Sequence, residues 1–416
     1  MEYGCIGEHL SHSFSKEIHN SLADYQYSLK ELSREELPCF MNEKNFKAIN
    51  VTIPYKQDVI PFLDYISDEA KAINAVNTIV NDNGKLYGYN TDFYGLRALI
   101  QRVGIIIEGK KVAILGSGGT SNTAFAVAHN MGALIVLKVS RNAKSGYITY
   151  DELYEKYSDV QIIINTTPCG MFPNTGETSV SLDKLPNVTG VVDAVYNPLS
   201  SQLIVDAKEK GIRCTGGLYM LVSQAAYAVE KFINKPVNGN NVESVFKNLY
   251  KSKMNIVLIG MPSCGKSTVG KLLSQKTGKS FVDTDEAIVE SQGMEIPAIF
   301  NDKGEEYFRG VEKDVAYNIS KENNMVISTG GGIILNERNI HSLKGNGRIY
   351  FLDRPLEKLV ATSDRPLSKS KDALGKLYEE RYPLYKKYAD VVINADGTVE
   401  DVVKRIEADY YEYSCD

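Results

Sequence analysis

The segment Gly260-Met-Pro-Ser-Cys-Gly-Lys-Ser-Thr268 matches G-x-x-x-x-G-K-[ST], a spacing that curls the backbone around phosphate oxygens. An apolar run, Ile256-Val-Leu-Ile259, enters it, and Val269-Gly-Lys-Leu-Leu273, spaced like a helix, leaves it. In that strand–loop–helix setting Gly260 and Gly265 let successive N–H groups converge, and the helix N-terminus adds partial positive charge. Lys266 would reach the β- and γ-phosphates and Ser267 would offer its hydroxyl to Mg²⁺. Pro262, Ser263, Cys264 and Thr268 complete the loop. A glycine-rich turn with an exposed lysine needs no such setting. The loop therefore predicts a nucleoside triphosphate site.

The residues beyond it bear on the phosphoryl acceptor. Phe281-Val-Asp283-Thr-Asp285 puts carboxylates at i and i+2 near a strand end, one toward Mg²⁺ and one toward an acceptor hydroxyl. Arg309, in Gly304-Glu-Glu-Tyr-Phe-Arg309, and Arg381, in Arg381-Tyr-Pro-Leu-Tyr385, can grip a planar carboxylate bidentately, which lysine does less well. Gly330-Gly331-Gly332 follows the apolar run Met325–Ser328 and would let a ring lie on bare backbone. Any one of these could be a solvated arginine or a capping aspartate. As a set they point to transfer onto a small carboxylate-bearing acceptor.

Polar clusters of another kind lie upstream: Ser11-His-Ser13-Phe-Ser15 with His19-Asn20, then Asn50-Val-Thr-Ile-Pro-Tyr-Lys56, then Asn77 with Gly88-Tyr-Asn-Thr-Asp92. Serines, Thr52 and Asn77 can hydrogen-bond a polyhydroxylated ring, and Lys56 with Asp92 can move a proton at a reacting oxygen. Spacing alone leaves a plain surface ion pair between Lys56 and Asp92 equally open. Val112–Leu115, then Gly116-Ser-Gly-Gly119-Thr-Ser121 and an alanine-rich helix over Thr123–His129, is a dinucleotide-type turn, although Asn122 departs from the full fingerprint. Taken alone it is as readily an ordinary glycine-rich turn. The next strand, Leu134–Val139, ends in Ser140-Arg-Asn-Ala-Lys144, cationic where an NAD site carries an acid, which favours NADP.

Such residues need rigid elements to position them. At 416 residues the chain is long enough for two or three domains. Strand-like apolar runs alternate with helical segments throughout, a βαβ rhythm that predicts parallel sheets flanked by helices. The polar piece Lys251-Ser-Lys253, after a helical run over Val242–Tyr250, is the join between halves; it is too short for a flexible tether, so the parts are expected to abut. A net charge of −5, from 47 basic and 52 acidic residues, gives no electrostatic case for nucleic acid or a membrane surface. Residues 1–20 lack a signal-peptide layout, and no apolar run reaches membrane-spanning length. The six cysteines, Cys5, Cys39, Cys169, Cys214, Cys264 and Cys415, form no C-x-x-C, which argues against zinc or a disulfide framework and suits a reducing cytoplasm.

Residues 1–250 resemble shikimate dehydrogenases along their whole length. The motifs are SHSFS (11–15), NVTIPYK (50–56), INAVNT (73–78), GYNTD (88–92), GSGGTS (116–121), INTTPCGM (164–171), VVDAVYNP (191–198) and GGLYMLVSQAA (216–226). The resemblance implies a substrate domain over 1–100, completed by closing helices near 221–250, and a Rossmann-like NADP domain over 101–220. It implies that Ser13, Ser15, Thr52, Asn77, Asp92 and Gln224 hold the substrate, with Lys56 and Asp92 as the catalytic pair. Tyr196 and Gly217 would lie near the ring and the nicotinamide, and Gly116, Ser117, Gly118, Gly119, Thr120, Ser140, Arg141 and Lys144 would bind the cofactor. Ser140-Arg141-Asn142 replaces the family's frequent Asn-Arg-Thr but keeps its arginine, and Lys16 stands where a proline is usual.

Residues 254–416 are similar to shikimate kinases, which implies a P-loop domain around a parallel sheet. Carried over, Asp283 holds Mg²⁺ through water, Asp285 contacts the acceptor hydroxyl, and Arg309, Arg381, Gly331 and Gly332 bind shikimate. Arg365, in Asp364-Arg-Pro-Leu367, would be the lid arginine near the phosphates of ATP. The lid is shorter than usual, and its additional arginine has no counterpart among Lys358–Ser363. Both resemblances together predict a cytoplasmic α/β enzyme of two activities, whose partners are small molecules. One is NADPH-dependent reduction of 3-dehydroshikimate, the other ATP- and Mg²⁺-dependent phosphorylation of shikimate. The alternative is a quinate/shikimate dehydrogenase beside a catalytically silent kinase-like binding module.

Overall fold

The structure, a computed structural model, describes residues 1–10, 14–142, 145–360 and 370–413. Its strands gather into three sheets, and two of these are wholly parallel. One runs in the order Arg213–Thr215, Gly190–Asp193, Ile162–Asn165, Lys111–Leu115, Ile135–Val139. The other runs Ser280–Asp283, Met325–Ser328, Asn255–Ile259, Gly347–Asp353, Val391–Asn394. Their inner strands are covered on both faces, so Ile162–Asn165, Gly190–Asp193 and Asn255–Ile259 are buried at every position. That is why they read as unbroken apolar runs rather than alternating ones.

The first sheet corrects the expectation of parallel pairing throughout. Tyr27–Glu31, Tyr3–Gly7 and Ala48–Val51 are parallel, but Thr78–Asp82 runs antiparallel to both Ala48–Val51 and Lys85–Tyr89. The cause is local. Asn83 and Gly84, with φ of 52° and 88°, form a two-residue turn of the kind that closes a hairpin and leaves no room for a crossover helix.

In both parallel sheets the strand that begins the unit sits inside, with its successors on opposite sides. Lys111–Leu115 lies between Ile135–Val139 and Ile162–Asn165, and Asn255–Ile259 lies between Met325–Ser328 and Gly347–Asp353. The chain thus leaves to both sides of one strand, opening a crevice at its carboxyl end. Both glycine-rich turns begin there.

Lys251-Ser-Lys253 proves to be the last turn of the helix Gly239–Lys253 rather than a separate linker. Lys279, buried in the second half, donates to Lys251 O at 2.9 Å and Met254 O at 2.8 Å. It thereby satisfies carbonyls that a helix end leaves open. One buried cluster runs from Ile18, Val222 and Ala226 through Phe246, Leu249 and Met254 to Ile256–Ile259, so the halves share a core. Among the described residues no helix is long and apolar enough to cross a membrane.

His19, grouped with the N-terminal polar cluster by sequence, is a core residue. It stacks on Tyr27 at 4.0 Å, its Nδ1 lies 2.7 Å from Tyr25 Oη, and its buried Nε2 has no partner among the described residues. Burial pushes its pKa down from 6.5 to about 3. The unfolded chain therefore binds a proton between those values that the folded chain refuses, and stability falls as pH drops through that window. Urea unfolding at pH 7 and pH 4.5 should show a loss about 2–3 kcal/mol larger in the unaltered protein than in His19→Phe. Equal losses would refute the assignment.

Candidate active sites

In the first half Lys56 and Asp92 meet where a helix begins. Asn90 caps the helix Thr91–Arg102 by accepting from Phe93 N–H, which sets Asp92 in the first turn. Lys56 follows the strand Ala48–Val51, and its backbone carbonyl accepts from Val76 N–H at 2.8 Å. Lys56 Nζ then lies 2.5 Å from Asp92 Oδ2, with both side chains more than two-thirds buried. A surface ion pair is less covered than this.

The supporting residues are linked by hydrogen bonds. Asn77 Oδ1 accepts from Thr91 N–H at 2.7 Å, and among the described residues its Nδ2 has no partner, so an amide donor is left for a ligand. Thr91 Oγ1 donates to Gln224 Oε1 at 3.3 Å, tying the helix Thr91–Arg102 to the helix Leu218–Ile233. Those helices cross closely only because residue 95 is glycine, since a Cβ there would lie 2.7 Å from Met220 O and 2.8 Å from Gln224 Cβ. Thr52 is half-buried beside Lys56, with its N–H on Ile6 O, and Ser15 opens the helix Ser15–Leu22. The ring of Tyr196 is 5.6 Å from that of Phe14, and Gly217 N–H donates to Val195 O at 2.8 Å. Ser13 lies outside the described residues.

The dinucleotide-type turn fits a pyrophosphate. Gly116 has φ of 113°, and Gly118 precedes the helix Gly119–Asn130 with no side-chain cap. A Cβ at Gly118 or Gly119 would meet nothing within 4 Å, so packing within the protein does not demand glycine there. An open helix N-terminus flanked by exposed Ser117 and half-buried Thr120 remains. Ser140 N–H donates to Ile148 O and its hydroxyl to Asn142 O. Arg141 beside it is exposed, and no described carboxylate pairs with it, which leaves its charge for a 2′-phosphate. Lys144 lies outside the described residues.

In the second half a single cleft of about 1080 Å³ is lined by the phosphate loop at one end and by Asp285, Arg309, Gly331, Gly332 and Arg381 at the other. Lys266 Nζ donates to Gly260 O at 2.9 Å and Met261 O at 3.0 Å, which holds the ammonium within the loop's concavity. Ser263, with φ of 64°, Pro262, Gly265, Ser267 and Thr268 also face the cleft. Cys264, by contrast, is buried beneath it with Sγ 3.8 Å from Lys266 Nζ, so any contribution it makes to phosphate is by its backbone. Ser267 Oγ donates to Asp283 Oδ2 at 2.7 Å, a pair of oxygen donors suited to Mg²⁺, which takes few protein ligands beside water and phosphate.

The end of the cleft away from the phosphate loop is built from arginine. Arg309 is braced by Glu305 at 3.0 Å and Glu312 at 2.9 Å, and Arg381 Nη1 donates to Gly331 O at 3.0 Å. The Nε of Arg381 is buried without a partner among the described residues, a donor awaiting an acceptor. Sequence reasoning missed Glu312, although its i+3 spacing from Arg309 is that of a helical ion pair. Burial pushes its pKa up against the pull of Arg309. It also missed Thr91, which no motif marks as a link between helices, and Tyr385, whose hydroxyl donates to Gly331 O at 2.6 Å. Arg365 lies outside the described residues.

Two family models match the chain: shikimate dehydrogenase substrate binding domain over residues 5–79, and shikimate kinase over residues 262–410. The shikimate dehydrogenase (NADP(+)) of Clostridium beijerinckii is 39% identical over 269 residues, which is 60% of this chain and 99% of that protein. Among solved structures, a chorismate mutase/shikimate 5-dehydrogenase fusion protein from Clostridium acetobutylicum matches with 33% identity and a TM-score of 0.56, over 59% of this chain and 96% of that one. Shikimate dehydrogenase 1 from Peptoclostridium difficile matches with 33% identity and a TM-score of 0.55, over 60% and 98%.

A methyl group at position 332 would overlap the guanidinium of Arg309. Gly332→Ala should therefore weaken binding of a carboxylate ligand at this end by about tenfold, the worth of one charge-assisted hydrogen bond. Triphosphate affinity should stay unchanged. Calorimetric titration with each ligand separates the two, and equal affinity for the carboxylate ligand would remove Arg309 from its recognition.

Proposed function

Because the chain belongs to the shikimate dehydrogenase family and carries a shikimate kinase domain beside it, we propose that it makes shikimate in its first half and phosphorylates it in its second. The observation that carries this reading is that each half holds its reacting groups together. Lys56 Nζ and Asp92 Oδ2 are 2.5 Å apart in one, and phosphate loop, Asp285, Arg309 and Arg381 share one cleft in the other. In this reading the substrate domain is 1–100 with the closing helices near 221–250, the NADP domain is 101–220 and the kinase domain is 254–416. The setting is the cytoplasm.

For the reduction, 3-dehydroshikimate lies against Ser13, Ser15, Thr52, Asn77, Tyr196 and Gln224. NADPH, when bound along Gly116–Thr120, Ser140, Arg141, Lys144 and Gly217, supplies the hydride. Lys56 delivers a proton to the ketone oxygen as it becomes alkoxide, and Asp92 holds the ammonium toward that oxygen. For the phosphorylation, ATP with Mg²⁺ supplies the γ-phosphoryl group. Ser267 and Asp283 hold the metal, Lys266 and Arg365 draw charge from the transferring phosphoryl, and Asp285 orients the 3-hydroxyl of shikimate. Arg309 and Arg381 fix the shikimate carboxylate with the ring against Gly331 and Gly332.

A coupled assay with 3-dehydroshikimate and NADPH, with and without Mg·ATP, tests both halves: NADPH should fall first and ADP should follow only once shikimate forms. Shikimate with Mg·ATP yielding no ADP would leave the second half a binding module. Lys56→Ala should lower reductase turnover by about 10²–10⁴-fold while phosphorylation persists. Asp285→Asn should retain ATP and lose transfer; undiminished ADP release would dismiss its role.

A further inference from the structure

We infer that Asn346, a residue of the kinase half, is a positioning residue for the dehydrogenase reaction, because it anchors the loop that carries Tyr196. The loop runs from the end of the strand Gly190–Asp193 to the start of the helix Gln202–Glu209. Both of its ends are tied within the dehydrogenase half. Val195 N–H donates to Asp193 Oδ1 at 3.0 Å, and Ser201 Oγ donates to Asp193 Oδ2. Val195 O receives Gly217 N–H at 2.8 Å, and Asn197 O receives Phe172 N–H at 2.9 Å.

Between those ends, residues 199 and 200 are held by the other half. Leu199 N–H donates to Asn346 Oδ1 at 3.0 Å, and Ser200 N–H donates to Gly345 O at 2.8 Å. Asn346 is itself fixed, because its Nδ2 donates to Ser320 O at 3.2 Å. Leu199, Ser200 and Asn346 are all less than a tenth exposed, so water cannot easily replace a lost partner. Around them Gln202 Nε2 lies 3.3 Å from His341 Nδ1, and Lys344 pairs with Glu209 at 3.7 Å. A dehydrogenase without an appended kinase has no Asn346, so this anchorage belongs to the fused chain. The loop places Tyr196 and the carbonyl that holds Gly217, both assigned to the substrate and nicotinamide. The inference rests on that reading of the first half.

The test uses the full-length chain with Asn346→Ala and Asn346→Asp. The aspartate keeps an acceptor for Leu199 N–H, whereas alanine does not. Asn346→Ala should raise the KM for 3-dehydroshikimate by about fivefold, the worth of one buried hydrogen bond, with kinase kcat/KM within about twofold of normal. Deuterium exchange over 195–201 should quicken in Asn346→Ala, whereas Asn346→Asp, which keeps the acceptor for Leu199 N–H but loses the bond to Ser320 O, should recover the KM and the protection only in part. An unchanged KM with unchanged exchange overturns the inference. So does a parallel fall of both kcat values with both KM values intact, which is what a merely less stable protein would give. Should the unaltered chain fail to reduce 3-dehydroshikimate, the functional reading fails, and the exchange data alone still decide whether Asn346 anchors the loop.

Discussion

A parallel strand cannot pass its chain to a neighbour at the same end, and that constraint organises this protein. Every crossover must return to the starting edge, so the segments that follow each strand collect along one side of the sheet. Where the chain departs in opposite directions from one strand, those segments part and leave a crevice. Lys111–Leu115 and Asn255–Ile259 are those strands, and each is followed by a glycine-rich turn and a helix N-terminus. The groups that would face phosphate are therefore backbone amides whose positions are set by sheet topology. Side chains such as Arg141 and Lys266 then add charge to a place already made.

The arginine-lined end of the second cleft solves a different problem. A carboxylate ligand needs cations, yet guanidinium groups brought close together repel one another and lose hydration. Arg309 is answered by Glu305 and the buried Glu312, and Arg381 by the carbonyl of Gly331. Glu312 is itself costly to bury as an anion, and its raised pKa records that cost. The brace fixes the fork of Arg309 before any ligand arrives, so less side-chain freedom is lost on binding.

Much of this could be read from residue order, and what could not has a common physical cause. The phosphate loop and the strand runs were legible because their signals are local or because burial on both faces leaves an unbroken apolar run, whereas Lys56 and Asp92, 36 residues apart, were set apart from a plain surface ion pair only by the family resemblance. The mixed sheet was missed although Asn83-Gly84 announces a hairpin in a single dipeptide. His19 was misread because a buried aromatic cage and a polar site look alike until Tyr25, Tyr27 and Phe232 are seen around the ring. The anchorage of Leu199 on Asn346 was beyond reach in principle, since its partners are 147 residues apart and neither side chain bears a reactive group.

The join shows how two enzymes in one chain can become one body. A polar tripeptide suggested a boundary, but Lys251–Lys253 continue the closing helix of the first half directly toward the first strand of the second. The open carbonyls at that helix end are met by Lys279, whose burial pulls its pKa down to about 8, and by Tyr410 Oη at 2.9 Å from Lys251 O. Phe246 and Leu249 on the same helix belong to the core that holds Ile256–Ile259. The helix Gly239–Lys253 is thus capped and packed by residues of the second half. The same core reaches Val222 and Ala226 on the helix Leu218–Ile233, whose Gln224 meets Thr91. Fusion here joins the two sites through a shared core rather than through a tether.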